Sequence, residues 1–194
     1  NMRCVYCQNY QISQDWKKQK SREMDFHKLA EEMLYLQDEL GCHNINFVSP
    51  SHFVPQLLRA VLEAVPLGLQ VPLVYNSSGY DSVETLKELD GIISVYLPDL
   101  RYASDEWARK FSKARDYVAH ARAAIREMYR QVGNLVVDEE GVAQKGLIVR
   151  LLILPNRLAG TPGHLRPLAV PHVGLAQGVE QPGFLGAVAA GAGR

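Results

Sequence analysis

The chain has 194 residues, 21 Lys plus Arg against 21 Asp plus Glu, and 47% hydrophobic residues, which is the composition of a globular domain with a sizeable core. Zero formal charge argues against a general nucleic-acid or anionic-membrane binder, since either favours a basic excess, and the chain has no run of 18 apolar residues to make a transmembrane helix. Three cysteines are too few and too odd in number for a disulfide framework, so the expectation is a reducing compartment and a cytoplasmic protein.

Residues 1–13 read as a loop carrying Cys4 and Cys7, and residues 14–25 as a solvated stretch with Lys17, Lys18, Lys20 and Arg22. Apolar residues at 29, 33, 36 and 40 predict a helix over Phe26–Leu40, closed by Gly41. The β-prone run Asn44–Val48 predicts a strand, Ser49–His52 a turn, and Val54–Val65 a second helix. The unit then repeats: a strand over Val71–Tyr75, a turn over Asn76–Tyr80, and a helix over Asp81–Leu89 whose Asp81 and Glu84 have capping-box spacing. A third strand is expected over Ile92–Leu97 and a turn over Pro98–Tyr102. Helical sequence follows from about Ser104 to Gln131, broken near Ser112. Gly133–Gly146 reads as a polar excursion with a small hairpin, and Leu147–Leu154 as the most apolar strand, ended by Pro155.

Strands alternating with helices predict an α/β protein with a parallel sheet and right-handed crossovers. The pattern by itself does not separate a (β/α) barrel from an open doubly wound sheet. In either, ligands sit at the carboxyl ends of the strands, at Ser49–His52, Asn76–Gly79, Pro98–Arg101 and Pro155–Gly160. Charge is unevenly spread: residues 161–194 hold only Arg166, Glu180 and Arg194, together with four prolines and seven glycines. That composition disfavours a long helix or regular strand. The expected division is therefore a core over 1–160 and a poorly ordered tail over 161–194. With no Met at position 1, the chain reads as a piece of a longer protein.

Cys4-Val5-Tyr6-Cys7 is a C-x-x-C motif. By itself it fits half a zinc site, a redox dithiol or two incidental thiols. Zinc normally takes four ligands, and the sequence has no second C-x-x-C or H-x-x-x-H. A thioredoxin-like dithiol follows a strand, and none precedes this one. Cys42, between a helix and an apolar strand, reads as a bystander thiol. The neighbourhood of the motif, Asn1 to Tyr10, resembles the cluster loop of radical S-adenosylmethionine (SAM) enzymes, C-x-x-x-C-x-(aromatic)-C. Cys4 and Cys7 match its second and third cysteines and Tyr6 its aromatic residue; the first would lie one residue before Asn1. More narrowly, the runs at Gly41–Val48, Tyr75–Leu86, Leu97–Tyr102 and Val149–Thr161 resemble an uncharacterised subfamily of the pyruvate formate-lyase activating-enzyme-like branch. The resemblance implies a partial (β/α)6 barrel, incomplete at both ends, with its cluster loop after a strand upstream of Asn1.

The resemblance also implies cofactors and a site. Cys4 and Cys7 would ligate a [4Fe–4S] cluster whose open iron chelates SAM, and Tyr6 would belong to the same cofactor loop. Ser49-Pro50-Ser51-His52 stands where the family has a Gly-Gly-Glu-like segment for the SAM amino group, which makes Ser49 and Ser51 cofactor-binding candidates. His52 is either an acid/base on the substrate side or a surface residue. Asn76 and Ser77, in Asn-Ser-Ser-Gly, stand where an Asp-Thr-Asn-Gly turn helps hold a cation near the SAM carboxylate. Asp99-Leu100-Arg101 resembles the family's Asp-x-Lys, with Arg in place of Lys; Asp99 and Arg101 are the catalytic candidates, Asp99 also contacting SAM or the cation, and the alternative is an ion pair at the rim. Arg150, inside an apolar strand where an unpaired charge is costly, would bind the SAM carboxylate; its alternative is a buried ion pair with Asp99 or another acid. Leu151 and Asn156 depart from the subfamily's His and Gly.

The activity implied is reductive cleavage of SAM to a 5′-deoxyadenosyl radical. Its electron donor would be flavodoxin or ferredoxin, its target a protein substrate such as a glycyl-radical enzyme, and neither nucleic acid nor membrane would be a partner. Two alternatives stand beside it: a degenerate, non-catalytic barrel that binds a metal or a partner, and a redox dithiol protein using Cys4 and Cys7. The family would continue after Thr161 with a helix and a sixth strand; a shifted reading frame or a gene-model error would account for the altered composition there.

Overall fold

The computed structural model describes residues 1–15, 18, 24–160 and 174–175. Four strands form a parallel sheet in the order β1 (Ile45–Val48), β2 (Leu73–Ser77), β3 (Val95–Leu100) and β5 (Ala143–Leu151). The two-residue strand β4 (Val136–Val137) pairs antiparallel with the start of β5, the hairpin expected within 133–146. Gly174–Leu175 (β6) adds a short parallel pairing to β5. The strand order advances in one direction without reversing. With right-handed crossovers such a sheet carries all its helices on one face, as a barrel does, whereas a doubly wound sheet reverses. The expected partial (β/α) barrel is therefore the architecture observed.

The helices are α1 (Tyr10–Ser13), α2 (Phe26–Asp38), α3 (Val54–Ala64), α4 (Val83–Lys87), α5 (Asp105–Ser112) and α6 (Tyr117–Val132). Asp25 caps α2 by accepting the Lys28 N–H at 2.7 Å, relieving one of the amides that a helix start leaves unpaired. The break near Ser112 is present: Lys113 and Asp116 both take left-handed backbone angles, φ 56 and 51, and turn the chain from α5 into α6. Alternation along the strands separates two faces. Leu73, Tyr75, Tyr96, Leu100, Leu147 and Val149 enter the main core with Ala121, Ile125 and Met128 of α6. Asn76, Asp99 and Arg150 lie on the opposite face.

Four elements have boundaries that differ clearly from expectation. β2 and β3 lie two to three residues further along than Val71–Tyr75 and Ile92–Leu97. Pro72 has no N–H to donate to a ladder, and the Ile92 and Ile93 amides bond back to Leu89 O, closing the turn after α4. β5 starts four residues early because β4 supplies partners to Ala143 and Lys145, and it ends at Leu151, its last partner on β3 being Leu100. The cap of α4 is Ser82, which accepts the Thr85 N–H at 3.3 Å; Asp81 is not a cap but a buried residue with other partners. The expected solvated stretch lies mostly, and the expected poorly ordered tail almost wholly, outside the described residues. No described helix is long and apolar enough to cross a membrane.

Candidate functional site

The cysteine loop is docked on the end of α5. A helix leaves its last carbonyls without helical partners, and two of them accept from this loop: Phe111 O from Val5 N at 2.8 Å and Ser112 O from Arg3 N at 2.9 Å. Cys7 N bonds to Cys4 O at 3.2 Å, closing a turn that holds both thiols in one loop. Cys4 is buried and Cys7 half-buried, and all three cysteines are free thiols. Cys4 Sγ accepts two hydrogen bonds, from Arg101 Nη1 at 3.0 Å and Ser112 Oγ at 3.0 Å. Cys7 Sγ lies 3.2 Å from Ser13 Oγ. The Tyr6 hydroxyl bonds to that of Tyr102, which in turn lies 2.6 Å from Ser112 Oγ. Burial raises the pKa of both phenols above the ordinary value, so they are neutral hydrogen-bonding groups.

Arg101 reaches Cys4 from the end of β3 and is held there by Asp99. Its Nε and Nη2 donate to Asp99 Oδ2 at 3.0 and 2.6 Å. Burial opposes the Arg101 charge, but Asp99 and the Cys4 sulfur more than offset this and raise its pKa, so it stays cationic. The other carboxylate oxygen, Oδ1, faces Arg150, whose Nε is 2.8 Å away. This contact is an ion pair without a directed hydrogen bond, because the buried Nε has no acceptor in line with its N–H. Arg150 Nη2 donates to Asn76 Oδ1 at 2.6 Å. Asn76, Asp99, Arg150 and Arg101 thus form one polar row that crosses β2, β3 and β5 and ends at Cys4. The ion pair weighed for Arg150 from the sequence is present.

Tyr117 holds the backbone beneath this row. Its hydroxyl accepts the Arg101 N–H at 2.9 Å and lies 3.1 Å from both Ser78 O and Asp99 O, to which it donates. Gly79 is required beside it: its φ is +71, and a Cβ there would lie 2.2 Å from Asp99 O.

Two candidate serines go elsewhere. Alternation puts Ser77 on the opposite face from Asn76, and its hydroxyl donates to Asp81 Oδ2 at 2.6 Å. Ser51 Oγ and Tyr75 OH donate to Asp81 Oδ1 at 2.5 and 3.1 Å. The buried Asp81 carboxylate therefore ties the loop after β1 to the loop after β2. Ser49 is exposed, in a left-handed conformation at φ 54, and its N–H bonds to Asn76 O at 2.8 Å. His52 is exposed, packs with its ring tilted against Phe53 and joins none of these groups. A cavity of about 300 Å³ opens beside Asp81, bordered by Asn1, Ser51, Tyr80 and His120; it does not include the cysteines or the arginines.

The sequence profile of the radical SAM superfamily matches residues 1–139. This chain belongs to the radical SAM superfamily. It is also 29% identical over 160 residues to an uncharacterized protein of Methanocaldococcus jannaschii, a match that covers 81% of this chain and 43% of that protein. The chain thus spans less than half the length of the curated relative it matches.

The superfamily typically binds a [4Fe–4S] cluster and SAM, and the radical SAM loop of this chain suits such a group in kind. Two soft thiols sit in one turn, and the inner one accepts a charge-assisted and a neutral hydrogen bond. Among the described residues no third His, Cys, Asp or Glu joins them in a metal-sized group. Reading the sequence missed Ser112, Tyr102, Tyr117 and Asp81 as parts of the site. Ser112 stood out only as a helix break, and the tyrosines look like ordinary core residues.

Proposed function

We propose that the protein carrying this chain cleaves SAM reductively, with Cys4 and Cys7 as two of the three thiolate ligands of a [4Fe–4S] cluster. One observation supports this most: the C-x-x-C loop is seated at the carboxyl end of β3, with Cys4 Sγ bonded to Arg101, at the barrel rim where such sites form. When bound, the cluster supplies the electron that splits SAM into methionine and a 5′-deoxyadenosyl radical.

The chain's own residues bind, orient and exclude water. Arg150 has a buried Nε without an aligned acceptor, and a guanidinium fork suits the SAM carboxylate. Asn76 fixes the other end of that fork. Asp99 holds both arginines and borders the same face. Tyr6 anchors the cysteine loop through Tyr102, while Ser51 and Ser77 act through Asp81 on the loops that border the site. The low-potential donor is a flavodoxin or ferredoxin. The four sequence runs support the pyruvate formate-lyase activating-enzyme-like branch as the narrower placement. No described residue singles out a glycyl-radical partner, so the reading stops at SAM cleavage.

The test is anaerobic reconstitution of the protein with iron and sulfide, followed by metal analysis and a 5′-deoxyadenosine assay with a strong reductant. Four irons per chain and 5′-deoxyadenosine are expected, both lost in Cys4→Ser and Cys7→Ser. Iron without 5′-deoxyadenosine refutes the enzymatic reading and leaves a metal-binding, non-catalytic barrel. A reversible dithiol couple with no bound iron refutes the cluster.

A further inference from the structure

Among the described residues, Cys4 Sγ is the sulfur that receives two donors at once, and both come from elements far from it in sequence. Arg101 Nη1 reaches it from the end of β3 and Ser112 Oγ from the end of α5, each at 3.0 Å. Neither donor is free to point elsewhere. Arg101 is pinned through Nε and Nη2 to Asp99 Oδ2, and Asp99 is balanced on its other oxygen by Arg150. Ser112 Oγ lies 2.6 Å from Tyr102 OH, a neutral phenol able to donate, so the serine's own proton is left for the sulfur. A hydrogen-bond chain of this kind polarises along its length. Cys4 has 5% exposure, so water screens the sulfur end of the interaction little.

We propose that Arg101 and Ser112 set the reduction potential of the iron–sulfur centre through Cys4 Sγ, with Asp99 and Arg150 as the pair that positions Arg101. The proposal rests on the cluster reading above and gives Arg101 a role directed at the ligand sulfur. Adding one electron to the centre makes it one charge more negative. A cation and a hydroxyl donating to a ligating sulfur stabilise that reduced form over the oxidised one, and hydrogen bonds to the sulfurs are among the features that set such potentials. The two donors therefore make the centre easier to reduce by a one-electron donor.

The test is an EPR-monitored redox titration of the reconstituted full-length protein, with iron and acid-labile sulfide measured in every sample. In Arg101→Gln the ratio of reduced to oxidised centre at a fixed poise is expected to fall about tenfold, equivalent to about 59 mV for one electron. Ser112→Ala, which removes a neutral donor, is expected to lower it about threefold. Arg101→Lys keeps the charge but not the fork and is expected to fall between wild type and Arg101→Gln. Asp99→Asn, which leaves Arg101 and Cys4 in the chain, is expected to shift the potential in the same direction by loosening Arg101. A residue that only supported the fold would change cluster loading or stability and leave the potential of loaded protein unmoved.

Full loading with a ratio within twofold of wild type in both Arg101→Gln and Ser112→Ala overturns the inference and leaves the cluster reading intact. Should Arg101→Gln fail to take up iron, Ser112→Ala and Arg101→Lys decide by the same criterion. A wild-type protein that binds no iron overturns the cluster reading itself, and this inference with it.

Discussion

Replacing Asp99 by Asn tests whether the polar row is held by one carboxylate. The substitution keeps the shape and removes the charge. Oδ2 now accepts two bonds from Arg101, at 3.0 and 2.6 Å, and Oδ1 lies 2.8 Å from Arg150 Nε. Asparagine leaves two guanidinium groups facing a neutral amide whose NH2 end can only donate. Breaking a sealed ion pair by removing one partner costs about 3–5 kcal/mol, and an exposed pair about 0–1 kcal/mol. The side chains of Asp99, Arg101 and Arg150 are 16%, 23% and 27% exposed, so water partly screens them and the expected loss is roughly 2–3 kcal/mol. Urea denaturation followed by circular dichroism, at unchanged slope, measures it. Arg150→Met in the Asp99→Asn background removes one stranded cation, so the double variant should be more stable than the sum of the two single losses implies. A loss under about 1 kcal/mol for Asp99→Asn, typical of an exposed pair, or strict additivity of the two changes, would refute the reasoning.

Gly79→Ala should destabilise the protein by more than about 2 kcal/mol, because the φ of +71 and the 2.2 Å approach of a Cβ to Asp99 O act together. Gly41→Ala, at φ +60 with nothing within 4 Å, should cost only about 1 kcal/mol; equal losses at the two positions in thermal melts would contradict the close-approach argument. Glu127 is hydrogen-bonded by Arg130 and then by Gln131, and these bonds hold its carboxyl below the ordinary 4.5. Its contribution is therefore full above the unfolded-state value and lost as pH falls through the folded one. Glu127→Gln should flatten the drop in stability on acidifying below about pH 4.5, and an unchanged acid limb in melts from pH 6 to 3 would argue against it.

Much of the frame was legible because it is local. The 3.6-residue pattern of Phe26–Leu40, the alternation of short β-prone runs with helices, and the break at Ser112 all depend on neighbours a few positions apart. The motif at Cys4 and Cys7 was legible for the same reason. Strand ends were less so. Whether Ser77 ends β2 or opens a turn depends on whether Pro98 is opposite it, and β5 starts early because β4 meets it. The candidate residues divided in the same way. Arg150 was flagged as a costly charge inside an apolar strand, and Asp99 and Arg101 by their likeness to the family's Asp-x-Lys; the three do meet. The serines at 51 and 77 were flagged by position in a motif, but the parity of the strand and the burial of Asp81 give their hydroxyls another partner.

By itself, the sequence determined the α/β alternation, the placement of polar residues at strand ends and the thiol pair that marks the loop, since each is written in spacing and residue type. Only the tertiary structure decided that Arg101 would reach Cys4, 97 positions away, and that Ser112 would meet the same sulfur from 108 positions away. Those contacts follow from strand register and from the docking of the cysteine loop on the open carbonyls of α5. A hydrogen-bond donor has no preferred sequence separation from its acceptor. The packed fold brings the two within 3 Å and, with water excluded, makes the pairing worth its electrostatic energy.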